Sequence, residues 1–295
     1  MTVRALARVI FAGAMLLILN VPFLIGSQDD DSKAIKAEVF IKQRPTRSAP
    51  SRARYRPAGK PSEPVTSTSP DGMVTAEIGL TIWRYRTAAG RDKTKELVEE
   101  DDGQEWILER IAEGTPLVPG QKVRLSLESL SKIGYLYVID REEYADGTFG
   151  DPLLIFPTQK SIDSNKAEPG RLIYIPSTSG RFRIKPSESA KTHIGESLTI
   201  IVSPKPLIDD GQLQAGAMKL QREQFDQWLS KWKPRTAKFE MEGGEGQTMT
   251  RLEKAAAKLD SPLLAQSDPV PQTIYQLVVK PEDPLLIVLP LRFAR

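Results

Sequence analysis

From residue 73 to the C-terminus the apolar residues come in short runs, most of them closed by Pro, Gly or Ser within a few positions. Such punctuation favours strands and turns over long helices, and 23 Pro against 20 Gly reinforce it. Met73 to Thr87 carries Ile78, Leu80 and Ile82 on one face and Thr81, Trp83 and Tyr85 on the other, a long strand. Val123, Leu125 and Leu127 alternate with Arg124, Ser126 and Glu128, the pattern of a half-buried strand with a wet polar face. Ile133 to Ile139 is apolar on both faces and belongs at the centre of a sheet. Asp146-Gly147 is a hairpin turn. Further short strands are expected at Leu153–Phe156, Leu172–Ile175, Phe182–Ile184 and Leu198–Val202.

Three segments carry helical spacing. Gln104–Glu113 places Trp106, Ile107, Arg110 and Ile111 on one face, with Asp102 as N-cap and Gly114 as terminator. Asp209-Asp210 can cap a helix from about Leu213 to Trp232, with Phe225, Trp228, Leu229 and Trp232 at i, i+3, i+4 and i+7 and Pro234 as its stop. Thr250 and Glu253 form a capping box for a short helix through Leu259. The chain closes with strands Thr273–Lys280 and Leu285–Phe293, joined by Pro281-Glu282-Asp283-Pro284 and read as a hairpin. The fold class that follows is mainly β. It is an antiparallel β-sandwich-like domain over residues 73–295 with a helical insertion at 209–260.

Residues 1–27 read as a signal peptide or N-terminal anchor. Arg4 and Arg8 precede an apolar run from Val9 to Ile25, and Gly26, Ser27 and the acidic Asp29, Asp30 and Asp31 follow. This is the composition of a secretory signal peptide, with cleavage near Gly26 or Ser27. The rival is an uncleaved anchor in the inner membrane, although seventeen residues at roughly 1.5 Å each fall short of a hydrocarbon core of about 30 Å. Either way the charge asymmetry places the rest of the chain outside the cytoplasm, periplasmic or secreted. Export with no cysteine fits a bacterial envelope protein better than a disulfide-built eukaryotic domain.

Residues 28–72 read as a disordered, basic, Pro-rich linker. Lys42, Arg44, Arg47, Arg52, Arg54, Arg56 and Lys60 precede the next acid, Glu63, among Pro, Ser and Ala. The arginines and Lys60 are candidate contacts to an anionic surface, either lipid head groups or wall polymer. The alternative is a solvated spacer. Without Arg4 and Arg8, 39 of the 41 basic residues remain against 38 acidic ones, a near-neutral balance that argues against nucleic acid as partner.

Gly134-Tyr135-Leu136-Tyr137-Val138, Asp146-Gly147-Thr148, Phe156-Pro157, Gly170, Tyr174-Ile175-Pro176, Gly195-Glu196-Ser197-Leu198 and Ser203-Pro204 follow one another in an order that resembles a bacterial module, domain of unknown function 4384. The resemblance covers about residues 116–205. It implies a β-rich accessory domain of exported or signalling proteins, and it carries no catalytic residue with it.

Chemistry-bearing motifs are sparse. His193 is the only imidazole and reads as a loop residue before a strand, with no nucleophile elbow in the chain. Asp140, Glu142, Glu143, Asp146 and Asp151 could offer oxygen ligands to Ca²⁺, but their spacing is not that of an EF-hand. Gly243-Gly244-Glu245-Gly246 lacks the Lys-Ser/Thr of a phosphate loop. Tyr135 and Tyr137 share a strand face and read as core rather than as a sugar platform. Trp228, Trp232 and Phe225 either seal the helix against the sandwich or offer an interaction surface. These readings assign no catalytic residue, metal ligand or cofactor. They lead to a non-enzymatic envelope module that binds an unidentified envelope protein or cell-surface polymer; the alternative is a carboxylate-dependent envelope hydrolase.

Overall fold

A computed structural model of the chain describes residues 35–42, 44, 53–58, 72–92, 99–101, 103–176, 180–185, 189, 191–232, 235–259 and 262–294. In chain order the elements begin with β1 (Ile35–Lys36), α1 (Ala37–Ile41), β2 (Arg54–Pro57), β3 (Val74–Thr87), β4 (Glu99–Asp101), β5 (Gln104–Ile111), β6 (Lys122–Ser129) and β7 (Gly134–Tyr144). Next come β8 (Leu153–Phe156), β9 (Lys166–Ala167), β10 (Leu172–Ile175), β11 (Phe182–Arg183), β12 (His193–Ser203) and β13 (Met218–Lys219). The chain ends with α2 (Arg222–Lys231), β14 (Arg235–Met241), α3 (Arg251–Ala257), β15 (Thr273–Val279) and β16 (Leu285–Arg292). The mainly β, two-sheet antiparallel architecture read from the sequence is the one observed.

The long β3 organises the first sheet. β15 and then β5 pair along one of its edges, and β6 pairs along the other. β14, β2 and β1 extend the sheet beyond β15, while β10 and β11 extend it beyond β6. In the second sheet β7 and β12 are central, with β8 and β9 beside β7 and β16 as the far edge. Alternation places Ile78, Leu80 and Ile82 of β3, Leu125 and Leu127 of β6, Leu136 and Val138 of β7, Ile200 and Val202 of β12, and Ile287 and Leu289 of β16 in one core between the sheets. Each such side chain removed from water contributes about 1.5–3 kcal/mol.

Both outer faces are covered as well, and this overturns several readings. β6 is buried along its whole length, so Arg124, Ser126 and Glu128 face the interior rather than solvent. Gln104–Ile111 is a strand, not a helix. With both of its faces covered, Trp106, Ile107 and Leu108 can be apolar in succession, which imitates helical spacing. Asp101 pairs with Gln104, and Gly103 at φ 73° turns the chain there; Asp102 lies outside the described residues. The second helix begins only at Arg222. Asp209 instead accepts from Gly211 N–H to close a short 3-10 turn, and Pro234 lies outside the described residues. The segment 209–260 carries two of the helices and also β14, a full member of the first sheet that the sequence reading did not place. The capping box of Thr250 and Glu253 is present.

The two C-terminal strands are not a hairpin. β15 lies in the first sheet and β16 in the second, because the apolar faces of Leu277 and Val279 and of Leu285 and Ile287 meet across the core instead of lying side by side. Within the segment read as a linker, Phe40, Ile41 and Tyr55 are buried against Phe239 and Ile274, and β2 pairs with β14. The Val9–Ile25 run and Arg47, Arg52 and Lys60 lie outside the described residues. Among the described residues no helix is long and apolar enough to cross a membrane.

Candidate binding site

A pocket of about 170 Å³ opens over the outer face of the first sheet. Its floor is Gly79, Thr81 and Trp83 of β3, Ser126 and Glu128 of β6, and Leu172 and Tyr174 of β10. One wall is α3, through Leu252, Ala255 and Ala256, with Leu259 just beyond it. The other is Pro262–Leu264 and Asp268–Pro271, with Arg44 beside them. Gly79 lets that second wall approach: a Cβ there would lie 2.6 Å from Cγ of Pro271.

The polar floor is internally satisfied. Arg44 forms a two-pronged ion pair with Glu128, its Nε donating to Oε1 at 2.7 Å, and both side chains are 1% exposed. Its Nη1 also donates to the Asp268 carbonyl at 3.2 Å. A guanidinium and a carboxylate taken from water are tolerated only when paired and bonded in this way. Arg44 is therefore an interior clamp between the N-terminal segment, β6 and the 262–271 loop, and not a contact to an anionic surface. Tyr55 OH, donating to the Pro271 carbonyl, holds the same loop. Trp83 Nε1 donates to Ser126 Oγ at 3.0 Å, Tyr174 OH to the Glu253 carbonyl at 3.1 Å, and Gln272 N–H to Thr81 Oγ1 at 2.9 Å. Arg110, stacked on Trp83, pairs with Glu253, and Arg124 stacks on Tyr174. What remains open is apolar: Leu252, Leu259 and Leu263 at the mouth are 60%, 59% and 54% exposed. Three large exposed leucines thus stand together around one opening.

The acidic residues do not form a common site. Alternation along β7 puts Asp140 and Glu142 on the inner face and Glu143 on the outer, where Arg292 meets it at 2.5 Å. Asp146 pairs with Lys191 at 3.0 Å, and Asp151 with Arg222 at 2.7 Å. Asp140 instead hydrogen-bonds Glu196 of β12, and burial raises both carboxyls above the ordinary range. Glu142 accepts from Tyr144 OH. His193 starts β12 rather than lying in a loop. It is half-buried, 3.3 Å from Glu196 and edge-on to Phe293 at 4.7 Å between ring centres. Among the described residues no three acidic or imidazole groups are placed to hold a metal ion.

Phe225 is fully buried under the second sheet, against Tyr137, Ile139 and Ile201, and so cannot be surface. Trp228 and Trp232 are half-buried and stacked, with ring centres 5.8 Å apart. Tyr137 is core, and its OH accepts from Leu207 N–H at 3.0 Å. Arg54 and Arg56 are exposed on β2. The pocket went unread in the sequence, although Trp83 and Tyr85 opposite the Ile78 face were the signal that this face is covered. Compared with known proteins, the chain matches no family model, no curated protein and no solved structure.

Proposed function

We propose that the chain is an exported bacterial cell-envelope protein acting as a non-enzymatic binding module. The observation that carries this reading is the pocket over the first sheet, whose polar floor is consumed internally while Leu252, Leu259 and Leu263 stand open at its mouth. The basic–apolar–acidic order of residues 4–31 and the lack of cysteine support export. A carboxylate-dependent hydrolase would draw on Asp140 and Glu196. Their low exposure and their position side by side on adjacent strands favour the non-enzymatic reading over this one.

Retention of detergent-solubilised envelope components by the full chain, set against a Leu259→Asp/Leu263→Asp variant, tests the reading. A component held by the wild type and lost from the folded variant supports it; equal retention or none defeats it. Protease cleavage of the domain in intact spheroplasts supports export, and protection there overturns it.

A further inference from the structure

The first sheet extends further than the second. The short connections 280–284 and 130–133 set β16 over β15 and β7 over β6. Beyond β15 the first sheet continues through β14, β2 and β1, whereas the second stops at β16. Thr236, Lys238 and Glu240 share the inner face with Leu277, Tyr275 and Thr273 yet are only half-buried, a shelf with no roof. The backbone hydrogen bonds of β16 alternate in direction. Phe293 N–H donates to the Ile194 carbonyl, so the odd-numbered residues turn their backbone groups to β12 and the even-numbered ones turn theirs outward. Pro290 can stand in the strand because its missing donor would have pointed away from β12. The outward N–H and C=O groups of Leu286 and Val288 have no hydrogen-bond partner among the described residues, and Val288 is 46% exposed. No charged residue lies between Pro284 and Arg292 to discourage pairing.

From this open edge beside an unroofed shelf we infer that β16 receives one extended segment of a partner polypeptide as an added antiparallel strand. A strand presents donors and acceptors at the spacing of the Leu286 and Val288 groups, and its neighbours in the sheet pair antiparallel. At about 4.8 Å from β16 it lies above β14 and completes the layer. A second copy of this chain does not fit. The two-fold axis of an antiparallel pair stands perpendicular to the sheet, so it would bring both sets of β14, β2 and β1 to the same side beneath the junction. Residues 285–289 also span only about 17 Å, too little edge to bury the roughly 1,200 Å² of a stable dimer. In the added strand, residues opposite Leu286 and Val288 share their apolar outer face, and those opposite Ile287 and Leu289 point at the shelf. Valine suits the first positions. Threonine suits the second, because Lys238 already pairs with Glu113 at 2.9 Å and Glu240 at 3.1 Å. This surface is separate from the pocket and goes beyond the reading built on it.

The test follows backbone amide shifts of the full chain on titration with a short synthetic peptide of alternating threonine and valine, lysine at each end, and with two N-methylated forms of it. Opposed residues of a hydrogen-bonded antiparallel pair exchange their bonds, so the valine amides face β16 and the threonine amides face away. The parent peptide should shift Leu286 and Val288 saturably at about millimolar concentration or below, and threonine methylation should leave this unchanged. Valine methylation should weaken it about tenfold or more. So should Val288→Pro, which removes an outward donor and no bond to β12. Equal binding of the two methylated peptides, shifts confined to the pocket leucines, or no binding of the parent peptide overturns the inference. So does a concentration-dependent dimer that Val288→Pro dissociates. The methylated peptides decide the matter should that variant fail to fold. Leu259→Asp/Leu263→Asp should bind the parent peptide as the wild type does, so failure here leaves the pocket's own test standing.

Discussion

The outer faces of the two sheets are both sealed, but by opposite chemistry. Over the second sheet, Phe225, Ile208, Leu213 and Leu220 lie on Tyr137, Ile139, Ile201 and Leu286, a mostly apolar layer on an apolar layer, with Arg141 stacked on Phe225. Over the first, charged side chains are folded into the seal: Arg44 with Glu128, Arg110 with Glu253, and Arg124 on Tyr174. An apolar seal is non-directional and tolerates repacking. A seal of paired charges fixes position, because each group must meet its partner to offset desolvation. The fixed seal is the one that leaves a pocket.

Removing one side chain from each seal should give the largest effects. Phe225→Ala and Arg44→Ala should each cost about 3–5 kcal/mol in urea unfolding, one by leaving a cavity and the other by stranding the Glu128 carboxylate. Only the second should be rescued by altering its partner, so Arg44→Met with Glu128→Leu should regain most of the loss. Failure of that rescue would mean the pair does more than neutralise itself. Next in size is a pH effect. Burial pushes Asp140 up to about 7, and burial together with repulsion from Asp140 raises Glu196. A carboxyl whose folded pKa exceeds its unfolded value favours the fold when protonated. Stability should therefore be full below the ordinary carboxylate range and fall as pH rises from there through the raised range of both carboxyls. Unfolding at pH 5 and pH 8 should show this decline, and Glu196→Gln should lessen it without abolishing it, because burial raises Glu77 to about 7 as well; parallel curves would refute it. A double-mutant cycle on Trp228 and Trp232 should return a coupling of about 0.5–1.5 kcal/mol, the worth of a stacked pair beyond its burial. Smallest of all, Lys191→Met, which loses an exposed pair with Asp146, should leave the unfolding midpoint unchanged.

Legibility followed the number of covered faces. Val74–Thr87 and the Gly134–Ile139 part of β7 were readable because their apolar residues and bounding turns are local, whereas Asp140–Tyr144, where the strand turns acidic, was not. The Asp146-Gly147 turn and the Thr250–Glu253 capping box were readable too, since their partners lie within a few residues. Gln104–Ile111 misled because burial on both faces erases the two-residue period. The C-terminal strands misled because the short connection from Val279 to Leu285 can close a hairpin or cross from one sheet to the other, and only packing selects between them. Of the residues singled out for function, Trp228 and Trp232 are half-buried at the surface. Phe225 and Arg44 are interior, and the pocket leucines were not seen at all.

The mainly β class, the places where the chain turns and the identity of the inner face of most strands were all written in the local sequence. Each of these depends on alternation, caps and breakers acting over a few residues. Which outer face is wet, and where a pocket forms, emerged only when distant segments met. Arg44 meets Glu128 across 84 positions and Arg110 meets Glu253 across 143. A polar residue on a strand reads as solvent-facing until the chain supplies the opposite charge from that far away.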